Sequence, residues 1–172
     1  LLAKESIGDN PFSVLLPDDM IFSEKPTTLS MINFFKNSNS NLIAVRKVSN
    51  KFVPMFGIVE IECENQPMKN FCMVKSMIEK PELSKAPSNL AIAGRYLLLP
   101  SIFDSLDKTS LGVNNEIQLT DGISSLISTH QTYAFLFGGA HFDVGTPEGL
   151  LQASNYLTNI DIDIIRACRK KE

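Results

Sequence analysis

The chain has 172 residues, of which 44% are apolar and 20% charged, and its formal net charge is -3 at pH 7. This composition is ordinary for a soluble globular protein and excludes a disordered or collagen-like chain, while the slight acidic excess argues against bulk nucleic-acid binding. A single domain over residues 1–172 is predicted, with a core large enough to be stable without disulfides or a structural metal.

The cysteine pattern and the hydropathy indicate the compartment. Cys63, Cys72 and Cys168 form no C-x-x-C pair and have no histidine cluster nearby, so we expect small buried thiols rather than a zinc site. No apolar stretch approaches the ~20 residues that span a bilayer, and no signal segment is evident at the start. A cytoplasmic protein without a membrane partner is predicted. Since the sequence opens at Leu1 on a run that resembles the end of a helix, a piece of a longer protein is expected.

The first predicted strand, Phe12 to Leu16, is a mostly apolar run that ends in Pro17 and two adjacent carboxylates, Asp18 and Asp19. Acids at the point where a strand gives way to a loop lie where α/β sheets bind their ligands. The run therefore predicts a ligand site at its end.

The middle of the chain is predicted to add one helix and four strands. Thr27 and Thr28 can cap a crossover helix. The strands expected after it are 41–48, 53–60, 71–78 and 89–99. Gly57 lies inside the second of these strands, and glycine within a strand often marks close approach to a ligand or a neighbouring segment.

The strand 71–78 ends in an acid and a base, Glu79 and Lys80, followed by Pro81. A glutamate can accept hydrogen bonds from sugar hydroxyls, and a lysine supplies a compact positive charge to a phosphate. Because a residue before proline is biased toward extended backbone, Lys80 is predicted to be extended at a strand exit. An ordinary surface Glu–Lys pair is the alternative.

The last third of the chain is predicted to contain three helices and two strands. Thr120 is the expected N-cap of the second helix, and Thr146 with Pro147 forms a strong start for the third. The predicted elements are helices 101–107 and 119–127, strands 132–137 and 141–144, and a final helix from residue 146. The basic run from Arg166 to Lys171 is interpreted as a solvated helix end.

Asp143 lies near the end of the short strand 141–144 and could meet Asp18 across a sheet. Mg²⁺ prefers one or two carboxylates completed by phosphate oxygens, so these two acids are a sensible minimal set for a phosphate-bound Mg²⁺. Helix capping and turn formation are the alternative roles. Arg95 interrupts an apolar strand and is expected to pair with a carboxylate, whereas His130 and His141 are predicted to be structural.

Six segments follow one another in order along the chain. They are GDNPFSVLLPDD at 8–19, FGIV at 56–59, IEKP at 78–81, APSNLAIAGRY at 86–96, EIQLTD at 116–121 and FDVG at 142–145. Together they resemble the bacterial UTP-glucose-1-phosphate uridylyltransferases across nearly the whole chain.

The resemblance implies an α/β fold of the nucleotide-diphospho-sugar transferase type, with a mixed, mostly parallel sheet flanked by helices and incomplete in this chain. It implies Mg²⁺-dependent transfer of a uridylyl group from UTP to glucose 1-phosphate, giving UDP-glucose and pyrophosphate by in-line attack without a covalent intermediate. The catalytic residues that it implies are Asp18 and Asp143 as metal ligands and Lys80 as the phosphate contact, with Glu79 as the acceptor for glucose hydroxyls and Gly57 and Ile92 lining the sugar.

The chain also departs from the family pattern. Phe56, Asn115 and Val144 replace a tyrosine, a glycine and a cysteine, without removing a chemical group from the implied site. The family's glycine-rich nucleotide loop, early lysine and uracil-reading segment would lie upstream of Leu1. The chain is therefore expected to be the carboxyl-terminal, sugar-binding part, inactive or nearly so alone and homo-oligomeric in the full-length form. A thymidylyltransferase-type relative and a non-catalytic sugar-phosphate-binding or oligomerisation module are the alternatives.

Overall fold

The elements of the chain are seen in a computed structural model that describes residues 1–62, 70–112 and 115–159. Within those ranges there are eight strands and five α-helices. In chain order they are α1 (Lys4–Ile7), β1 (Phe12–Leu15), β2 (Asp19–Phe22), α2 (Thr27–Ser38), β3 (Asn41–Lys47), β4 (Gly57–Glu62), β5 (Phe71–Glu79), β6 (Leu90–Leu98), α3 (Ser101–Lys108), α4 (Leu119–Leu126), β7 (Thr132–Leu136), β8 (Ala140–Asp143) and α5 (Pro147–Thr158), with 3₁₀ turns at Asn50–Met55 and Leu83–Lys85.

Six strands form one sheet in the order β1-β6-β3-β7-β5-β4, with an extra bridge between Ile58 of β4 and Ala91 of β6. The mixed sheet is confirmed, but the expectation that it is mostly parallel is wrong for the described residues: β3 and β7 run parallel, and the other pairs run antiparallel. Parallel neighbours need a long crossover. β3 and β7 are separated by much of the chain, including α3 and α4, whereas β4 and β5 follow each other closely.

Helices cover both faces of this sheet, as the predicted fold class requires. The central strand β3 alternates its buried side chains between the faces, Leu42 and Ala44 on one and Ile43 and Val45 on the other. One core cluster joins α2 to the sheet through Met31, Phe34, Leu42, Ala44, Phe71, Leu97, Tyr133 and Phe135. The other joins α3 and α4 to it through Ile102, Phe103, Leu106, Ile123, Ile43, Val45, Val59, Val74, Met77, Ile92, Tyr96, Leu98 and Ala134. Each fully buried aliphatic side chain contributes about 1.5–3 kcal/mol.

A second, two-stranded sheet pairs β2 with β8 in antiparallel register, with Asp19 opposite Asp143 and Ile21 opposite His141. Strand β2 was not predicted. It has only four residues, and its partner lies far along the chain. This small sheet holds the end of β1 against the start of α5, so it determines where Asp18 and Asp143 lie.

Several local predictions can be compared with the structure. The strand expected from residue 53 begins only at Gly57, because Asn50–Met55 forms a 3₁₀ turn. The cap at Thr146 is confirmed, since its hydroxyl accepts a hydrogen bond from the Gly149 amide at 3.1 Å and Pro147 opens the helix. The cap at Thr27 or Thr28 is wrong, because α2 begins at Thr27 without a side-chain cap.

Two further observations concern the thiols and the membrane. Cys72 is buried in β5, as expected for a small core thiol. Cys63, Cys168 and the basic run from Arg166 to Lys171 lie outside the described residues. Across the ranges that the structure describes, no helix has the length and apolar content needed to cross a membrane.

Candidate functional site

Three strands and one helix converge on Gly57. Gly57 pairs with Glu79 in the β4–β5 ladder, and the next residue, Ile58, pairs with Ala91 beside Ile92. A Cβ placed on Gly57 would lie 2.8 Å from Ile92 Cδ1 and 3.0 Å from both Glu79 Oε2 and Thr120 Oγ1. A side chain at position 57 would therefore push against all three of these side chains. We call Gly57, Glu79, Ile92 and Thr120 the sugar-side cluster.

The polar contact within this cluster joins α4 to the end of β5. The Thr120 hydroxyl donates to Glu79 Oε2 at 2.6 Å, and Thr120 is 4% exposed. The predicted N-cap role of Thr120 is wrong, because α4 starts at Leu119 behind Gln118 and has no side-chain cap. The threonine instead holds one carboxylate oxygen.

Lys80 follows Glu79 directly and has an exposed side chain. The predicted extended backbone is wrong: Lys80 has φ +44°, in the left-handed region. Its amide donates to the Phe56 carbonyl at 3.1 Å. This bond holds a backbone conformation that overrides the preference of a residue before proline for extended backbone. Within the described part of the chain, the Lys80 ammonium has no hydrogen-bond or ion-pair partner. It is therefore available to a ligand.

The second group of predicted residues meets at Gly145. A Cβ on Gly145 would lie 2.9 Å from Asp18 Oδ2 and 3.1 Å from Asp143 Oδ1, so the two carboxylates border one small space. The Val144 amide donates to the Asp18 carbonyl at 2.8 Å, and the Gly145 amide donates to Asp143 Oδ1 at 3.0 Å. The first bond holds the Asp18 loop against the residues that follow β8, and the second orients the Asp143 carboxylate. We call Asp18 and Asp143 the acid pair.

The donor chemistry of the acid pair fits Mg²⁺. Two carboxylates with room for further oxygen ligands are the set that Mg²⁺ uses with substrate phosphates. Among the described residues, no group of three or more histidine, cysteine or acidic side chains could enclose a metal alone. Any cation here would need oxygens from a ligand or from water.

A buried polar network lies behind the acid pair, around Asp19. The His141 Nε2 atom donates to Asp19 Oδ1, and the His141 side chain is only 1% exposed. Gly94, with φ +45°, lies so close that a Cβ there would be 2.0 Å from Asp19 Oδ2. Arg95 donates to the carbonyls of Asp19 at 2.8 Å and Leu16 at 3.2 Å, so the expectation that it pairs with a carboxylate is wrong.

Electrostatics connect this network to both parts of the site. Burial lowers the pKa of Arg46, while the charges of Asp19 and Asp143 act in the opposite direction. Burial raises the pKa of Tyr96 well above its ordinary value, and the charges of Glu79 and Asp19 add to that effect. The pKa of Tyr96 is thus raised both by Glu79 of the sugar-side cluster and by Asp19, which lies behind the acid pair. Strand β6, which carries Ile92, Gly94 and Arg95, links the two.

The sequence pointed to most of these positions but missed three partners. The structure brings Asp18 and Asp143 together at Gly145, and it brings Glu79 and Ile92 together at Gly57. The structural interpretation of His141 fits its burial, but its bond to Asp19 was not foreseen. Arg46 and Thr120 were also missed; a charged residue directly after the apolar run 42–45 was the available signal for Arg46.

Comparisons with known proteins identify the family of the chain. A family model described as nucleotidyl transferase matches residues 1–160. Since that match covers most of the sequence, the chain belongs to the nucleotidyl transferase family.

Within the family, the similarity is to enzymes named for uridylyl transfer to glucose 1-phosphate. The UTP–glucose-1-phosphate uridylyltransferase of Staphylococcus haemolyticus is 39% identical over 153 residues, which are 88% of this chain and 52% of that protein. The enzyme of the same name from Mycoplasma genitalium is 39% identical over 164 residues, 94% of this chain and 56% of that protein. The chain thus spans about half the length of these curated relatives.

A solved structure shows the same fold. A UDP-glucose pyrophosphorylase determined in complex with UDP-glucose superposes with a TM-score of 0.85 at 34% identity, covering 92% of this chain and 60% of that one. The predicted fold class, a mixed sheet with helices on both faces and a partial domain of this type, is confirmed.

Proposed function

We propose that this chain forms the sugar-phosphate and metal-binding part of an enzyme that transfers a uridylyl group from UTP to glucose 1-phosphate. In that reaction a phosphate oxygen of the sugar bonds to the α-phosphorus of UTP, the bond to the β-phosphate breaks, and UDP-glucose and pyrophosphate leave. The main support is the convergence of Gly57, Glu79 and Ile92, from three different strands, within about 3 Å of one point. The names of the similar proteins supply the sugar and the base.

The sugar-side cluster has the chemistry that a hexose needs. Glu79 offers carboxylate oxygens to sugar hydroxyls, Ile92 gives an apolar wall, and Gly57 lets the ligand approach the backbone. Lys80, exposed one residue beyond Glu79, would contact a phosphate as a point charge. An acceptor for sugar hydroxyls with a positive charge beside it suits a hexose phosphate, whose hydroxyls and phosphate belong to one small molecule.

The acid pair would hold Mg²⁺, with phosphate oxygens completing the coordination. The metal, when bound, neutralises negative charge on the phosphates. The bond from the Val144 amide holds the Asp18 backbone beside Asp143, and the Gly145 amide orients the Asp143 carboxylate, so both acids border one space where a cation would bind. The sugar-side cluster would then position the sugar, and the acid pair would hold the charge that neutralises the phosphates.

Calorimetric titration with UDP-glucose, with and without Mg²⁺, tests the proposal. We expect Mg²⁺-dependent binding that weakens about tenfold or more in Lys80→Ala, because a desolvated lysine–phosphate contact contributes about 1.5–3 kcal/mol. The matched control is Lys85→Ala, which removes another exposed lysine that pairs with Glu82 instead. It should bind like the parent.

Three results would contradict the proposal: no binding of UDP-glucose, equal binding without Mg²⁺, or equal loss in the two lysine variants. In a longer protein that includes the base-reading segment expected upstream of Leu1, parallel titration with dTDP-glucose separates the uridylyl from the thymidylyl interpretation. A cytoplasmic, homo-oligomeric enzyme is part of the same proposal, and light scattering would measure its mass in solution.

A further inference from the structure

The hydroxyl of Thr120 has an unusual partner for a threonine in the first turn of a helix. Such hydroxyls commonly bond to nearby backbone groups of their own helix. Here the hydroxyl points across to β5 and donates to Glu79 Oε2 at 2.6 Å. A carboxylate can only accept, so the threonine is the donor. The bond is short and charge-assisted, the strong class of neutral-to-ion hydrogen bonds.

The rest of α4 keeps this hydroxyl in place. Ile123, fully buried, packs into the core cluster beneath the sheet, and Ser124 Oγ lies 3.4 Å from the Met77 carbonyl of β5. The helix is therefore docked on the strand that carries Glu79. Threonine is also stiff about χ1, so its hydroxyl has few other directions available.

The contact engages only one of the two oxygens of Glu79. Oε2 accepts from Thr120 and lies beside the Gly57 backbone. A Cβ on Gly57 would be 3.0 Å from Glu79 Oε2 and 3.0 Å from Thr120 Oγ1. Among the described residues, no donor bonds to the other oxygen, Oε1, so it can accept from a ligand. Without the hydroxyl, the carboxylate could turn about its terminal torsion, which is broad and roughly two-fold in glutamate.

We propose that Thr120 is a positioning residue for sugar recognition: it fixes the carboxylate plane of Glu79 so that Oε1 faces the hydroxyls of the hexose. This inference rests on the proposed function. It adds the specific requirement that the sugar contribution to binding, and not the nucleotide contribution, depends on a residue of α4 that need not touch the ligand.

The experiment compares the affinities of UDP-glucose and UDP in Mg²⁺ for the parent and for variants at position 120. Thr120→Val keeps the shape and the χ1 stiffness but removes the donor; it should lose about tenfold in UDP-glucose affinity and keep its UDP affinity. Thr120→Ser restores the hydroxyl and should bind UDP-glucose within about twofold of the parent. If the valine variant does not fold, Thr120→Ala, which adds no atoms, provides the same comparison.

Two controls separate positioning from a merely structural role. Thr109→Val removes a threonine hydroxyl that donates to the Ser105 carbonyl at 2.9 Å, outside the sugar-side cluster, and should leave both affinities unchanged. In a Glu79→Ala background, which removes the acceptor of the Thr120 hydroxyl, Thr120→Val should have little further effect, because the two residues act through one contact.

The inference is overturned if Thr120→Val weakens UDP and UDP-glucose equally, if serine fails to rescue, or if the losses from Glu79→Ala and Thr120→Val simply add. A parent protein that does not bind UDP-glucose would overturn the proposed function and this inference with it. A parent that binds, with an indifferent Thr120→Val variant, would overturn the inference alone.

Discussion

The sugar-side cluster and the acid pair are assembled by different kinds of structure. The cluster lies on neighbouring strands of the six-stranded sheet, where ladder register places Gly57 opposite Glu79 and α4 contributes one hydroxyl. Of the acid pair, Asp18 lies in the loop before β2 and Asp143 is the last residue of β8, and the two are held together by the four-residue strands β2 and β8. Strand register in the large sheet locates Gly57, Glu79 and Ile92, whereas the acid pair depends on two short strands and on the backbone bond from Val144 to Asp18.

The surroundings of the two groups differ in the same way. Behind the sugar-side cluster lies the apolar core of the sheet, which contains Ile92. Behind the acid pair lies the network of Asp19, His141 and Arg46, in which Arg46 Nε and His141 Nδ1 are buried and lack a partner among the described residues. A buried carboxylate that loses its donor destabilises a fold more than a lost methyl contact does. Changes behind the acid pair should therefore affect stability, and changes in the cluster should affect binding.

The largest expected effect is that of Gly94→Ala. The left-handed backbone at φ +45° costs about 1–2 kcal/mol for alanine. The new Cβ would also lie 2.0 Å from Asp19 Oδ2, which must then move away from His141. Together these effects should lower the free energy of unfolding by about 2–5 kcal/mol, measured by urea denaturation. Gly138→Ala, where a Cβ would meet nothing within 4 Å, should stay within about 0.5 kcal/mol. Equal midpoints for the two variants would show that Asp19 does not pack on Gly94.

His141→Leu should have the next largest effect. It removes the donor to Asp19 and leaves a carboxylate that is 14% exposed with one bond fewer, so the free energy of unfolding should fall by about 2 kcal/mol. Urea denaturation measures it. His130→Leu is the control, because in the described part of the chain the His130 ring forms one exposed hydrogen bond, to the neighbouring Thr129 hydroxyl, and the effect should be below about 0.5 kcal/mol. If His141→Leu were as mild, the Asp19 bond would contribute nothing to the fold.

Gly57→Ala should differ from the two preceding variants, with a small effect on the free energy of unfolding and a large effect on ligand affinity. The added Cβ meets the ends of three side chains rather than backbone, so these can shift at a cost of about 1 kcal/mol. The shift displaces the Glu79 carboxylate, and UDP-glucose affinity by calorimetry should fall about tenfold or more. A variant that unfolds as readily as Gly94→Ala would contradict the distinction between the two regions.

The elements of the sheet were predictable because most of its strands are apolar runs bounded by turn residues. Strands β5 and β6 were expected at 71–78 and 89–99 and occur at Phe71–Glu79 and Leu90–Leu98. Strand directions were not predictable in this way, because apolar content does not say which strands become neighbours. Strand β2 was missed for a related reason: four residues that begin with an acid form a strand only through pairing with β8.

The site could be predicted in part because some residues have a local pattern and others do not. Asp18, Glu79 and Lys80 stand at the ends of apolar runs, so position alone singled them out, whereas Ile92 came from the family resemblance only. The bond from Thr120 to Glu79 joins residues 41 positions apart, and a cap was the reasonable local interpretation. Asn115 replaces a family glycine yet adopts φ +61°, which asparagine tolerates better than most residues.

The smallest expected effect at neutral pH is that of Tyr96→Phe, which tests how the two regions are coupled. Burial, with the charges of Glu79 and Asp19, raises the pKa of Tyr96 in the folded protein above the ordinary value of 10.0. Between the unfolded and folded pKa values, the folded state keeps a proton that the unfolded state releases. This contribution to stability is therefore complete below about pH 10 and is lost as the pH rises further.

Urea denaturation between pH 9 and 11 would measure this loss, which for one such group approaches about 1.4 kcal/mol per pH unit. Tyr96→Phe should flatten the alkaline part of the curve while changing stability at pH 7 by less than about 1 kcal/mol. Tyr156→Phe, at a tyrosine that is 37% exposed, should keep the slope of the parent. If the stability of the parent did not change above pH 10, the Tyr96 hydroxyl would be in contact with solvent rather than buried between the two regions.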